Sequence, residues 1–373
     1  MTKHSLSRYG LYLLLALVAG LSSCTRNGMP KKQSNARSRV DHLIIKEVFY
    51  IGHYWQRDSK KYGYLSPKQM YDDDQYIVIY NPTDEVKYLD GLALCSNAID
   101  PSTSLQFAPK DNFVNQYYGV GSMMCFPGTG KDHPIQPKQE VVIAKYAIDH
   151  KANYVRELEE ASKDEPDEPF DIKEYHGYEA FLDLSKADFE WTNAAFLSSD
   201  AKSKNNPKVP DLEAIYTYTD SYGKLAPAYN FHDVSERSGL ALIRLPWTKE
   251  DFAKNHKDSK GHRGYLHYIT VTSSSFADFY VIEVPFSHVI DCITICPKRL
   301  YQMRPTKLDR GYNAVTEVAS RNTPKNEYPR ISGLALSRRW DGRKFVDDDN
   351  TTSDFEIKVA SRSNKDSQGK VIR

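Results

Sequence analysis

Leu43-Ile44-Ile45-Lys46-Glu47-Val48-Phe49-Tyr50-Ile51 is dominated by β-branched and aromatic residues, the types that suit a pleated, half-buried surface. The next such run, Gln75-Tyr76-Ile77-Val78-Ile79-Tyr80, alternates less cleanly, as a strand covered on both faces does. It stops at Asn81-Pro82-Thr83-Asp84, a turn with Pro at its second position. Similar runs recur at 89–95, 141–144, 239–245, 265–271, 279–284, 289–295, 333–340 and 344–347. Helical patterns are few and short: 154–163, and 248–255, which opens with a Thr cap. Polar stretches around 57–74, 159–176 and 196–210 are predicted to be long loops. Many short strands with few helices predict a mainly β chain built as an antiparallel sandwich with long loop insertions.

Composition narrows the function classes. The chain has 373 residues, is 40% hydrophobic, and carries 26 Tyr, so it has enough apolar mass for a large core and is not a disordered polymer. A formal net charge of +1 without a long basic run argues against a nucleic-acid partner.

Lys3 and Arg8 precede a short apolar run at 11–19, too short for a bilayer span, which needs roughly 20 apolar residues. This is the pattern of a secretory leader. The run ends in Leu21-Ser22-Ser23-Cys24, which resembles the bacterial lipobox: an aliphatic residue, two small residues and the cysteine that takes the lipid. Several acyl chains on Cys24 would anchor the chain stably. Thr25 stands where an Asp often retains lipoproteins at the inner membrane, so the expected address is the outer membrane, on either face. The expected organisation is a leader at 1–23, a flexible tether at 24–40, a single elaborated sandwich at 41–361, and a tail at 362–373 that frays.

Four cysteines remain after Cys24: Cys95, Cys125, Cys292 and Cys296. An even number in an exported chain predicts disulfides, with free thiols as the alternative. The run 291–296 alternates, so if it is a strand Cys292 and Cys296 lie roughly 13 Å apart and any bridge goes to Cys95 or Cys125. No second cysteine pair or spaced His supports a zinc site, and no metal is expected.

Chemistry candidates are sparse. Asp72-Asp73-Asp74 and Asp347-Asp348-Asp349-Asn350 with Asp354 are rich in oxygen ligands but lack calcium-loop spacing, and read as solvated turns with Asp capping local amides. Asp149-His150 and Asp188-Phe189-Glu190-Trp191 would form a His–carboxylate site if folding joined them. No nucleophile elbow, zinc-protease motif or phosphate loop accompanies them, so no catalytic residue or cofactor is assigned. They stand as binding candidates: Asp149, His150, Asp188, Glu190 and Trp191. Tyr62, Tyr64, Tyr71, Tyr117, Tyr118, Tyr216, Tyr218, Tyr222 and Tyr229 fall in loop-like segments, where tyrosine suits contact with glycans or proteins.

The runs 44–50 and 76–86, followed by Leu89-Asp90-Gly91, resemble the opening of lamin-tail domains, which are immunoglobulin-like β-sandwiches. Segments at 126–134, 143–150, 184–191, 206–212 and 348–355 are similar to a Bacteroidota lipoprotein family of unknown function built on that sandwich. The resemblance covers most of 41–360; it implies a fold and an address, and no activity or catalytic residues. The cysteine at 292 departs from the small residue that the resemblance leads one to expect.

The resulting expectation is a non-enzymatic outer-membrane lipoprotein that binds a partner or ligand, one version being an accessory subunit of a TonB-dependent transporter barrel. The alternatives are an envelope hydrolase or metal-dependent enzyme using Asp149, His150, Asp188 and Glu190, and a structural or adhesive protein. Carboxylates and His converging in a deep pocket favour the enzyme; a Tyr-bearing surface favours binding.

Overall fold

In the computed structural model the run that opens the fold is a bulged strand, β1 (Ile44–Phe49). Its register against the neighbouring strand shifts between Ile45 and Glu47. A bulge adds one residue on one side of the pair. Ile45 and Val48 therefore both enter the main core, while Glu47 turns to the outer face. There the buried Glu47 carboxylate accepts hydrogen bonds from the Tyr76 and Ser337 hydroxyls and from the Ser361 amide and hydroxyl. The structure describes residues 40–103, 112–164, 170–198, 201–256, 264–269, 279–303, 306–318 and 322–373. The leader, Cys24 and nearly all of the expected tether lie outside them. Residues 41–373 form one compact unit.

The other strands used below are β2 (His53–Ser59), β3 (Tyr76–Tyr80), β4 (Leu92–Asn97), β5 (Tyr117–Cys125), β6 (Glu140–Ala144), β7 (Phe189–Glu190), β8 (Glu213–Ala214), β9 (Tyr216–Thr219), β10 (Leu225–Ala228), β11 (Ser238–Arg244), β12 (Leu266–Ile269), β13 (Phe279–Pro285), β14 (Val289–Ile295), β15 (Leu334–Arg338) and β16 (Phe355–Val359). A six-stranded sheet has the order β7-β6-β3-β1-β15-β16, and a larger one the order β12-β13-β5-β4-β11-β14 with β8 on β5. Pairing is antiparallel except between β6 and β7. Ile45, Val48, Ile77, Ile79, Ile143 and Leu336 of the first sheet share a core with Leu92, Leu94, Leu240, Leu242, Ile293 and Ile295 of the second. This is the antiparallel sandwich expected, with each such buried side chain contributing about 1.5–3 kcal/mol.

Both sheets are also covered outside. Phe49, Tyr76, Val78 and Ala335 pack under Ala147, Leu182 and Leu184. Cys95, Cys125, Ala241 and Ile243 pack with Ile215 and Phe252. Double coverage explains why β3 lacks clean alternation. The two longer helices among the described residues are α1 (His150–Ser162), which starts a turn earlier than its sequence pattern suggests, and α2 (Lys249–Asn255), preceded by Thr248, whose Oγ1 accepts from the Asp251 amide at 3.1 Å.

Two expectations need correction. Cys95, Cys125, Cys292 and Cys296 are free thiols, not disulfides. The register gives the reason. Cys95 and Cys292 flank Ala241 on β4, β11 and β14, two strand spacings or about 10 Å apart. Cys95 faces Met123 while Cys125 faces Ala93, a diagonal of about 7–8 Å. Both exceed the reach of a disulfide, about 7 Å between Cα atoms. Val289–Ile295 is the strand that keeps Cys292 from Cys296. The tail from 362 is not frayed either. Lys365 bridges Val371, Asn364 Nδ2 donates to the Phe181 carbonyl at 2.7 Å, and Arg373 Nε donates to the Ser332 carbonyl at 3.2 Å.

Candidate functional site

β7 lies parallel to β6, with Ala144 opposite Glu190, and this pairing gathers the nominated residues at one sheet margin. Each then ends on a structural partner. Asp149 caps α1 by accepting from the Ala152 amide at 3.0 Å. Asp188 Oδ2 accepts from the Val142 amide at 2.7 Å. Trp191 is fully buried, edge-on to Phe231, and its Nε1 donates to the His232 carbonyl at 2.9 Å. Glu190 is fully buried and accepts from the Ala147 amide at 2.8 Å through one oxygen. Its other oxygen has no partner in the protein. Burial pushes the Glu190 carboxyl up to about 8 against the lowering effect of the Ala147 amide, so it is mostly protonated at neutral pH.

His150 does not pair with any of these carboxylates. The Tyr146 carbonyl, 3.0 Å from Nε2, can only accept, so the proton is on Nε2 and Nδ1 accepts from the Tyr71 hydroxyl at 2.8 Å. Burial lowers the His150 pKa, in keeping with a neutral ring. The expected His–carboxylate site is therefore a set of separate clasps.

A different His–carboxylate pair exists. His53 Nδ1 donates to Asp74 Oδ2 at 2.7 Å, and both side chains are fully buried. The His53 ring lies 5.2 Å from Phe49 and 6.4 Å from Phe181, and a Cβ on Gly333 would come within 3.1 Å of its Nε2. No substrate reaches a pair so enclosed. Only the Asp72-Asp73-Asp74 run pointed to it in the sequence.

The second acidic run caps local amides as expected, and in both runs some members are buried while Asp72 and Asp349 are exposed. Asp354 is buried and accepts from the Asp348 and Asn350 amides at 3.0 and 3.1 Å. Asp347 and Asp291 flank the buried Arg338 guanidinium at 3.1 and 2.5 Å. Asp73 bridges Lys145 and Lys204. Among the described residues no group of three or more His, Cys, Asp or Glu is placed to hold a metal ion.

A cavity of about 30 Å³, room for one water, lies under Tyr118, Gly239 and Cys292. The buried Tyr118 hydroxyl that lines it has no protein partner. A half-open groove of about 470 Å³ runs along Val315, Ile331, Leu334 and Ile357. Neither hollow is lined by His150, Glu190 or Asp188.

The nominated tyrosines divide. Tyr71 and Tyr118 are core residues. Tyr62 and Tyr64 are each 52% exposed beside Leu65 at the hairpin that returns from β2. Tyr218, Tyr222 and Leu225 are exposed on the β9–β10 hairpin, Tyr222 at 86%. That tip is a locally tied turn: Asp220 Oδ1 accepts from the Tyr222 and Lys224 amides at 2.8 Å, and Gly223 takes the left-handed conformation at φ 74°. Tyr216 at the hairpin base packs at a tilt against His256, with ring centroids 4.2 Å apart.

Residues 171–362 match the family model described as protein of unknown function (DUF4876). A crystal structure of a DUF4876 family protein from Bacteroides thetaiotaomicron VPI-5482 is similar in fold, with a TM-score of 0.56 at 19% identity, over 89% of this chain and 74% of that one. No curated protein matches the chain.

Proposed function

We propose that this chain, which belongs to the DUF4876 family of proteins of unknown function, is a lipid-anchored outer-membrane protein that binds a partner or ligand and catalyses no reaction. The observation that carries the binding reading is the pair of hairpins that hold Tyr62, Tyr64, Tyr218 and Tyr222 out in solvent. Rigid, exposed tyrosine offers a large contact area at low entropic cost. Support for the hydrolase reading falls away because Asp149, His150, Asp188 and Glu190 are engaged by backbone or phenol groups.

The address rests on the leader and Leu21-Ser22-Ser23-Cys24. An accessory subunit of a TonB-dependent barrel is the specific form we favour, with the tyrosine hairpins facing the barrel or its cargo. We read the sandwich as lamin-tail-like on the opening runs and on the turn after β3, where Asn81 Oδ1 accepts from the Thr83 amide and hydroxyl. The test is affinity purification from detergent-solubilised outer membrane, with mass spectrometry of Cys24. The proposal expects an acylated Cys24 and a stoichiometric partner that is lost when Tyr218 and Tyr222 are both changed to Ala. A bare Cys24 thiol, or a partner indifferent to both substitutions, contradicts it.

A further inference from the structure

Beyond β15 the chain makes a tight hairpin in which Trp340 bridges Phe345. Gly342 takes a left-handed turn at φ 96°, and Asp341 Oδ1 accepts from the Arg343 and Lys344 amides, both at 2.9 Å. The tip is therefore preorganised, yet Trp340 is 53% exposed. Its ring meets Phe345 edge-on at 5.0 Å, and Phe345 in turn meets Tyr80 at 5.1 Å. The Lys46 ammonium lies over both Tyr80 and Phe345, at 5.6 and 5.4 Å, and pairs with Glu140. Arg339 and Arg343 are exposed and Lys344 is partly so, with Asp341 at the tip; of the acids that follow, Asp347 is engaged by Arg338 and His42, and Asp348 and Asp349 lie past the hairpin. The surface is thus an outward indole flanked by cations.

The start of the domain lies beside this hairpin. His42 Nε2 is 3.3 Å from Asp347 Oδ2, two residues past Phe345. Fifteen residues lie between Cys24 and Val40. They span at most about 55 Å when fully extended. An anchor at Cys24 therefore keeps this end of the domain within reach of the bilayer.

We infer that the Trp340–Phe345 hairpin is a membrane-surface contact, with Trp340 in the interfacial layer and Arg339, Arg343 and Lys344 on anionic headgroup phosphates. Tryptophan prefers that layer because its ring is apolar and its N–H is not, and basic residues near an anionic surface add attraction. The inference rests on the anchored reading, because anchoring is what presents this end to a bilayer.

The probe is the chain from residue 24 onward with Cys24→Ser, which carries no acyl group. Its binding is measured to vesicles of equimolar phosphatidylglycerol and phosphatidylcholine, and to phosphatidylcholine alone. Preference for the anionic vesicles is expected. Arg343→Glu weakens binding about fivefold or more, the factor a single surface cation contributes. Trp340→Ala weakens binding to the anionic vesicles, and Lys208→Glu, an exposed cation on another turn, leaves it unchanged. All three positions are exposed, so folding is retained. No binding to anionic vesicles, or equal binding by the parent, Trp340→Ala and Arg343→Glu chains, overturns the assignment. Anchoring is judged separately, by the acylation state of Cys24 in the wild-type chain.

Discussion

Replacing Arg338 by Ala removes the charged pin between the two sheets. Arg338 on β15 is 3% exposed, and its Nη2 is 2.5 Å from Oδ2 of Asp291 on β14. The same oxygen accepts from the Ile45 amide of β1 at 2.6 Å. Arg338 also donates to the Ile45 and Val346 carbonyls and to Asp347, and covers the Phe355 ring at 4.6 Å. Removing one partner of a buried ion pair costs about 3–5 kcal/mol, and each orphaned carbonyl adds to that. Proton uptake limits the loss. Burial, opposed by Arg338, already pushes Asp291 up to about 6, and without Arg338 it rises further. The expected net loss is about 4 kcal/mol.

The pH dependence of that loss has a definite sign. A carboxyl raised in the folded state favours folding when protonated, and that advantage is lost as pH rises through its folded value. In the variant the Asp291 penalty therefore extends to higher pH. Asp347, which burial alone would raise but His42 and Arg338 hold low, also loses part of its depression, a loss complete above the ordinary carboxylate value and constant from there up. The deficit grows between about pH 5 and about pH 8. Urea midpoints of wild type and variant at both pH values measure it, and Arg338→Leu combined with Asp291→Leu should recover much of the loss. A deficit below about 1 kcal/mol, or one that shrinks toward alkaline pH, refutes the reasoning.

Glu190→Gln should be neutral below about pH 5 and stabilising above about pH 8, because it removes the cost of ionising a carboxyl whose pKa is raised in the folded state; thermal melts across pH show whether the variant's advantage grows with pH. Asp90 accepts from the Gly130, Asp132 and His133 amides, so Asp90→Ala should cost about 1–3 kcal/mol and open 128–133 to protease, seen by mapping cleavage sites. Although burial opposes it, those amides hold the Asp90 carboxyl below the usual range, so its contribution is present above the ordinary carboxylate pKa and fades in acid as pH falls through the lowered value; a wild-type–variant difference that persists at low pH would count against this. A Cys24→Ser chain denatured without reductant should titrate four thiols, and fewer would restore a disulfide.

Much of the framework was legible because β1, β3 and β14 are rich in β-branched residues and β4 and β11 carry short apolar runs, in a chain with few helical patterns. β2 was not, since His53-Tyr54-Trp55-Gln56-Arg57-Asp58-Ser59 pairs only with short strands and remains half-exposed along most of its length. The cysteine parity argument failed because composition carries no register, and register is what puts Ala241 between Cys95 and Cys292. His53 and Asp74 are 21 residues apart with no motif between them, so only the fold joins them. The exposed β9–β10 tyrosines were visible as loop-like tyrosine, but the turn that presents them is tied by Asp220 and Gly223, and only the fold shows those ties.

The binding claim is tested most directly by a photoreactive amino acid at position 222, irradiated in the intact envelope. The account predicts one discrete crosslinked partner from position 222 and none from position 208, which is exposed on the Asn206 turn. Crosslinks that are absent at 222, or as strong at 208, contradict it.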